Sequence, residues 1–182
     1  MEVSDYELKQ VVIAKKIIDD VGAGLPIDMS IFTPNKYLIN VLMDAKICLD
    51  EIVYRSYKLM IYLAMTNEAE LIKILADHEH NVNIKYCELT PLMMAVNFSS
   101  YDAVKTLLEN GADVNIQDNR GFTALNFAFG KKKRDRKIIQ LLVDSKPDFE
   151  LKTNKGLNIF EFIVNTGSNY GLDILTEALK KP

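Results

Sequence analysis

Along this chain, short apolar runs alternate with polar breaks, and the apolar positions keep helical rather than strand spacing. The order is most regular from Thr90 to Asp118: TPLMMAVN, then FSS, then YDAVKTLLEN, then GADVNIQD. Thr90 is placed to cap a helix. Pro91 is placed to open it, because the N–H that proline lacks would have no intrahelical partner there. Leu92 and Ala95 fall on one face of that helix, and the small alanine lets a neighbour approach closely. Phe98, Ser99 and Ser100 make a turn in which the serines read as helix caps. A second helix follows with Ala103, Val104, Leu107 and Leu108 inward, and Gly111 ends it as a left-handed cap.

The pattern then restarts. Thr90 and Thr123 are 33 residues apart, as are Leu92 and Leu125, and Ala95 and Ala128. A period of this length predicts stacked units, each too small to bury its own apolar face. TPLMMA, VKTLLENGADVN and DNRGFTAL together resemble the ankyrin repeat, whose pattern runs from a Thr-Pro-Leu-His start through a Leu-Leu pair to a Gly-Ala-Asp-Val-Asn exit. The resemblance implies an all-α solenoid of stacked helix pairs joined by protruding β-turn fingers. The units predicted are 54–84, 85–117, 118–152 and a C-terminal capping repeat at 153–182.

These units are not identical. The first carries LMIYLA and LIKILADHEHNVN and keeps the exit Asn81-Val82-Asn83, but it lacks the Thr-Pro start. It is expected to be one residue shorter between its helices. The third is two residues longer than its predecessor, which places an insertion in the run from Gly130 to Asp135. Its exit reads Asp148-Phe149-Glu150. The last has a capping-box pattern, Asn158 with Glu161, and a second helix from about Asn169 to Lys180. Residues 1–53 are less regular. Ser4 and Glu7 form another capping-box pattern, with Leu8, Val11, Val12, Lys15 and Ile18 at helical spacing. Gly22 to Pro26 breaks that helix, Thr33-Pro34 opens a new one through Met43, and helical spacing continues from Ile47 to Tyr57. The segment reads as an irregular helical N-terminal cap. A decayed repeat, or a separate module with its own activity, stays open.

Composition narrows the functional classes. With 182 residues, 48% apolar and 26% charged, the chain fits one globular domain able to bury roughly 70% of its unfolded surface. A net charge of −3 argues against nucleic acid as the main partner, because phosphate binding requires a basic face. No apolar run approaches the roughly 20 residues that span a bilayer, and MEVSDYELKQ carries acids rather than a basic-then-apolar leader. The expectation is a monomer without a membrane segment, in the cytoplasm of its own cell or of a host. Cys48 and Cys87 lie outside any CxxC or Cys/His cluster. They read as buried reduced thiols, with a disulfide as the alternative.

Candidate chemistry is sparse. His78 and His80 stand in Asp77-His78-Glu79-His80 and form either a metal-chelating HxH or a solvated turn; no third ligand is fixed. Ser99 and Ser100 lack the strand–turn–helix setting of a nucleophile elbow. No phosphate-binding glycine loop and no HExxH motif occurs. Neither catalysis nor a cofactor or metal is expected. The basic run Lys131-Lys132-Lys133-Arg134-Asp135-Arg136-Lys137 reads as a solvated loop, a patch for an acidic partner, or a targeting or RNA-binding element.

The resemblance points to the fingers and first helices, which in ankyrin arrays form a concave face where partner proteins dock. It picks Tyr86, Glu88 and Leu89 in one finger, Asn119, Arg120 and Phe122 in the next, and Asn154, Lys155 and Leu157 in the last. On the first-helix side it picks Met93, Asn97, Phe98, Asn126 and Lys131, with Tyr57 and Lys58 extending the line. Met93 and Asn126 stand where the family has a structural histidine, which puts the rigidity of those turns in question. Phe98 and Phe122 serve either inter-repeat packing or aromatic anchoring of a partner. The function implied is a non-catalytic module that binds, masks or inhibits another protein, as an immunity- or inhibitor-type protein does. The alternatives are a secreted pathogen or viral effector that binds host proteins, and an enzyme with its activity in residues 1–53.

Overall fold

Among the described residues, two rows of helices lie beside one row of hairpins. The computed structural model describes residues 12–19, 34–46, 49, 53–54, 57–130, 135–167, 172–178 and 180. Helix α1 covers residues 12–19 and α2 covers Lys36–Asp44. A two-stranded antiparallel hairpin follows, β1 (Val53–Tyr54) with β2 (Tyr57–Lys58). Four helix pairs follow among the described residues: α3 (Leu59–Met65) and α4 (Ala69–Asp77), α5 (Pro91–Phe98) and α6 (Tyr101–Glu109), α7 (Ala124–Gly130) and α8 (Arg136–Asp144), α9 (Ile159–Asn165) and α10 (Leu172–Ala178). The first helices stack in the order α3, α5, α7, α9, and the second helices in the order α2, α4, α6, α8, α10. The architecture is the all-α solenoid expected. One apolar core runs its whole length, from Ala14 and Ile17 to Ile174 and Leu175.

Local sequence explains the central pair. Thr90 has extended backbone, its Oγ1 accepts from the Met93 N–H at 3.2 Å, and Pro91 occupies the first helical position. In α6, Ala103, Val104 and Leu107 are fully buried and Leu108 half-buried. Burial of a leucine of this kind is worth about 1.5–3 kcal/mol. The helix closes in a Schellman motif: Ala112 N–H reaches Leu107 O at 2.9 Å, Gly111 N–H reaches Leu108 O at 3.2 Å, and Gly111 has φ +83°. Glu79 (φ 62°) and Lys146 (φ 55°) hold the same left-handed position after α4 and α8 without glycine's freedom.

The exits link the units. Asp113 Oδ1 accepts from the Asn115 N–H, Val114 is buried, and Asn115 Oδ1 accepts from Asp148 N–H of the next unit at 2.8 Å. One unit earlier, Asn83 Oδ1 accepts from Asp113 N–H at 2.8 Å and Asn83 Nδ2 donates to Gly111 O. The start of α6 is likewise capped from the preceding unit, with Asn67 Oδ1 accepting from Ala103 N–H at 3.0 Å. At the C-terminal end, Arg136 of α8 pairs with Asp173 of α10, and this bond holds the Asp173 carboxyl below its ordinary range.

Several local expectations are corrected. Ser100 occupies the position before α6, but its hydroxyl donates to Met65 O of the preceding unit instead of capping its own helix; Ser99 is the left-handed C-cap of α5. Helix α2 is capped by Asn35, not opened by Thr33-Pro34, and runs to Asp44. The inward face of α1 is Ala14 and Ile17, while Val12 and Lys15 face solvent. Ser4, Glu7, Leu8, Val11 and Gly22 to Pro26 lie outside the described residues. Helical spacing from Ile47 does not survive to Tyr57, because Val53–Tyr54 and Tyr57–Lys58 pair as the first finger. The one-residue difference also sits elsewhere. Helix α3 starts as far ahead of α4 as α5 does of α6. The short stretch is the Tyr86–Leu89 hairpin, which turns over Cys87 and Glu88, both with positive φ. The later fingers turn over three residues, Asn119–Gly121 and Asn154–Gly156. The longer third unit does carry its extra length between helices, at 131–135 against 99–100.

Candidate functional site

The finger at Asp118–Phe122 is organised by one buried carboxylate. Asp118 Oδ1 accepts from the N–H groups of Arg120 and Phe122, both at 2.8 Å, and Oδ2 accepts from Arg120 Nε at 2.9 Å and Nη2 at 2.7 Å. The Asp118 side chain is only 1% exposed, so these donors replace its lost hydration. They also fix the Arg120 guanidinium, whose Cζ lies 4.5 Å from the Phe122 ring centroid and 5.4 Å from that of Phe127. Phe122 meets Phe162 edge-on at 5.2 Å and Phe127 at 6.3 Å.

The next finger lies directly against this one. A Cβ on Gly121 would sit 2.8 Å from Thr153 Cα and 2.9 Å from Asn154 N. Asn154 N–H donates to Arg120 O at 2.9 Å, and Asn154 Nδ2 donates to Asn119 O at 2.8 Å. Gln117 Nε2 bridges Gly121 O and Lys152 O. The fingers therefore form one stitched edge. Between two of them and α9 opens a pocket of about 390 Å³, with Phe122, Leu157 and Phe162 as apolar wall and Arg120, Lys155 and Asn165 at its border.

The structure sorts the expected binding residues into four groups. Glu88, Asn97, Phe98, Asn119, Arg120, Asn154 and Lys155 are exposed. Tyr86, Leu89, Phe122 and Leu157 are half-buried. Met93 and Asn126 are interior, 1% and 5% exposed, and present no surface to a partner. Their job is local: Asn126 Oδ1 accepts from Thr123 N–H at 2.9 Å and Thr123 Oγ1 at 3.0 Å, and Met93 Sδ lies 3.5 Å from Thr90 N. Asn126 thus supplies the acceptor that locks its turn. Lys131 lies outside the described residues, as do Lys132, Lys133 and Arg134 of the basic run. Of the two phenylalanines left open by sequence, Phe98 is 52% exposed, while Phe122 packs in the ring cluster and also lines the pocket.

Sequence reasoning missed a row of large residues at the fourth position of each first helix: Tyr62, Met94, Phe127 and Phe162. Met94 is nearly covered, and the other three are half-buried beside the core. The signal was available, since Phe127 follows Met94 by the same 33 residues as the Thr and Leu pairs.

Elsewhere, His78 is exposed with Nδ1 3.1 Å from Ile74 O, where it caps the end of α4. Among the described residues no three His, Cys, Asp or Glu side chains converge on a metal site. Cys87 is exposed on its turn rather than buried, and Cys48 lies outside the described residues. No helix among them is long and apolar enough to cross a membrane.

These features define a repeat solenoid whose described fingers form a pocketed edge. The family model for ankyrin repeats (3 copies) matches residues 33–118 and 59–155, and the chain belongs to the ankyrin-repeat family. Similarity extends to E3 ubiquitin-protein ligase KEG of Arabidopsis thaliana, 32% identical over 123 residues, 65% of this chain and 8% of the ligase. It also extends to two ankyrin repeat proteins of Acanthamoeba polyphaga mimivirus. L371 is 25% identical over 91% of this chain and 19% of its own length; L86 is 40% identical over 49% of this chain and 16% of its own. The chain spans less than a fifth of each of these relatives. Ankyrin repeats are protein–protein interaction modules, and the family is generally non-catalytic.

Proposed function

We propose that this chain is a non-catalytic module that binds one partner protein across its fingers and first helices and acts by occupancy, masking or inhibiting what it covers. The observation that carries this reading is the half-open row Tyr62, Phe127 and Phe162 beside the fixed Arg120–Phe122 pair. Aromatic residues and arginine held rigid in a partly desolvated pocket are the side chains that dominate interface energetics. A monomer in the cytoplasm, inhibiting a single enzyme or toxin, is the simplest form of this activity.

The test is capture of the partner on immobilised wild-type chain, its identification by mass spectrometry, and calorimetry on the purified pair. Phe122→Ala should weaken binding at least tenfold, about 1.4 kcal/mol. Unchanged affinity in a folded variant would remove this face from the mechanism. Arg120→Ala is unsuited to the purpose, because it strips two donors from buried Asp118 and costs stability directly.

A second reading, an effector that engages host proteins, is favoured by the similarity to two mimivirus proteins. The captured partner discriminates: one encoded beside the chain in the same genome supports the inhibitor, and one from a host cell supports the effector.

A further inference from the structure

We propose that the pocket between the last two fingers receives an acidic, apolar segment of the partner: one large apolar side chain seated against Phe122 and Phe162, flanked in the partner's sequence by Asp or Glu side chains that meet Lys155 and the outer edge of Arg120. This rests on the finger and first-helix face being the binding surface, and it adds the chemistry of what is bound.

The apolar half of the argument is the wall itself. Phe122 and Phe162 meet edge-on at 5.2 Å and Leu157 adds aliphatic surface. A volume of about 390 Å³ stands at the lower end of the usual range for binding pockets, about 300–1,000 Å³. That is room for a few side chains of an extended segment, not for a folded element.

The charged half is the border. The chain has 25 acidic against 22 basic residues, yet the residues lining this pocket include Arg120 and Lys155 and no carboxylate. Two acids lie near it without lining it: Asp118, buried and paired with Arg120, and Glu161, whose Oε2 accepts from the Asn158 N–H at 2.9 Å. Arg120 gives Asp118 two N–H donors, from Nε and Nη2, of the five a guanidinium carries. Its Cζ lies 4.5 Å from the Phe122 ring centroid, so the group is held in place beside the pocket before a partner arrives. Lys155 is exposed at the finger tip and supplies positive charge that Asp118 does not offset. Asn165 at the far side offers an amide to the segment's main chain. The comparable hollow between α8 and α10, about 380 Å³, is bordered by Asp144 and Glu177 as well as Lys146; it has no such preference of sign.

The test is titration of the full chain, followed by two-dimensional amide NMR, with three blocked pentapeptides: acetyl-Gly-Asp-Phe-Asp-Gly-amide, the same with both Asp replaced by Lys, and the same with Phe replaced by Ala. Blocked ends remove terminal carboxylates as a source of binding. The Asp-Phe-Asp peptide should shift the amides of Arg120, Phe122, Lys155 and Phe162 and bind at least about fivefold tighter than either control, a preference that fades with salt. Lys155→Glu, a change at an exposed position, should reverse the preference between the acidic and basic peptides. Equal affinity for those two, preference for the basic one, shifts confined to other parts of the chain, or no shift by any peptide would each overturn the inference. Shifts along Tyr62 and Phe127 without charge preference would sink the acidic occupant and leave the binding face standing. That face is judged separately, by Phe122→Ala and the native partner.

Discussion

Gly121→Ala isolates what one close contact between fingers contributes. Gly121 has φ +74°, a conformation that costs an L residue about 1–2 kcal/mol. Its added Cβ would also sit 2.8–3.0 Å from three main-chain atoms of Thr153 and Asn154. Main chain cannot rotate away as a flexible side chain can, so the two fingers must part. Parting breaks the Asn154 N–H bond to Arg120 O and the Asn154 Nδ2 bond to Asn119 O, each worth about 0.5–1.5 kcal/mol. The sum is about 2–5 kcal/mol. Gly156→Ala is the control, because Gly156 has φ +76° and nothing within 4 Å of the added Cβ; it should cost only the conformational part, about 1–2 kcal/mol. Urea unfolding of both variants, compared at constant m-value, reads the difference. If the two cost the same within about 0.5 kcal/mol, the fingers do not touch as described and the stitched edge is refuted.

Other substitutions probe other links. Leu107→Ala removes a fully buried side chain of α6 and should cost about 2–5 kcal/mol in the same assay; a loss under about 1 kcal/mol would misplace that helix face. Asn115→Ala removes the protein acceptor of the exposed Asp148 N–H and should cost about 0.5–1.5 kcal/mol, with faster amide exchange at Asp148 as its local signature. Glu79→Gly should stabilise by about 0.5–1 kcal/mol, the left-handed penalty at φ 62° less glycine's entropy cost; a lower midpoint would refute the assignment of that cap.

The centre of the fold was legible because its signals are local and repeated. Thr90-Pro91, Gly111 and Asp113-Val114-Asn115 each have a nearby physical task, and the 33-residue echo fixes which face is inward. The first 53 residues have no echo, so the face of α1 was set by propensity alone and came out one step off. The first finger was hidden because Ile47 to Tyr57 has apolar positions at helical spacing, and pairing across a hairpin overrode it. Cys87 and Glu88 carry none of the usual glycine or asparagine of a two-residue turn, so the shortened finger could not be seen. In the candidate site, the resemblance places Arg120, Phe122, Asn154, Lys155 and Leu157 in the fingers, and all five line the pocket. Met93 and Asn126 lie on the first-helix side that the resemblance assigns to the concave face, but both side chains are interior, and Asn126 turns back to its own threonine.

The Asn and Gln side chains that join neighbouring units share one habit: their partners across the seam are mostly peptide groups. Asn67, Asn83, Asn115 and Gln117 each grip an N–H or C=O of the following unit. Any residue except proline supplies both of those groups, and proline still supplies the carbonyl. The receiving unit can thus change the exposed side chains of Asp113, Asp148 and Lys152 without losing these particular bonds, so long as the gripping amide persists. Such an array can rewrite its exposed edge for a new target while its stacking stays the same.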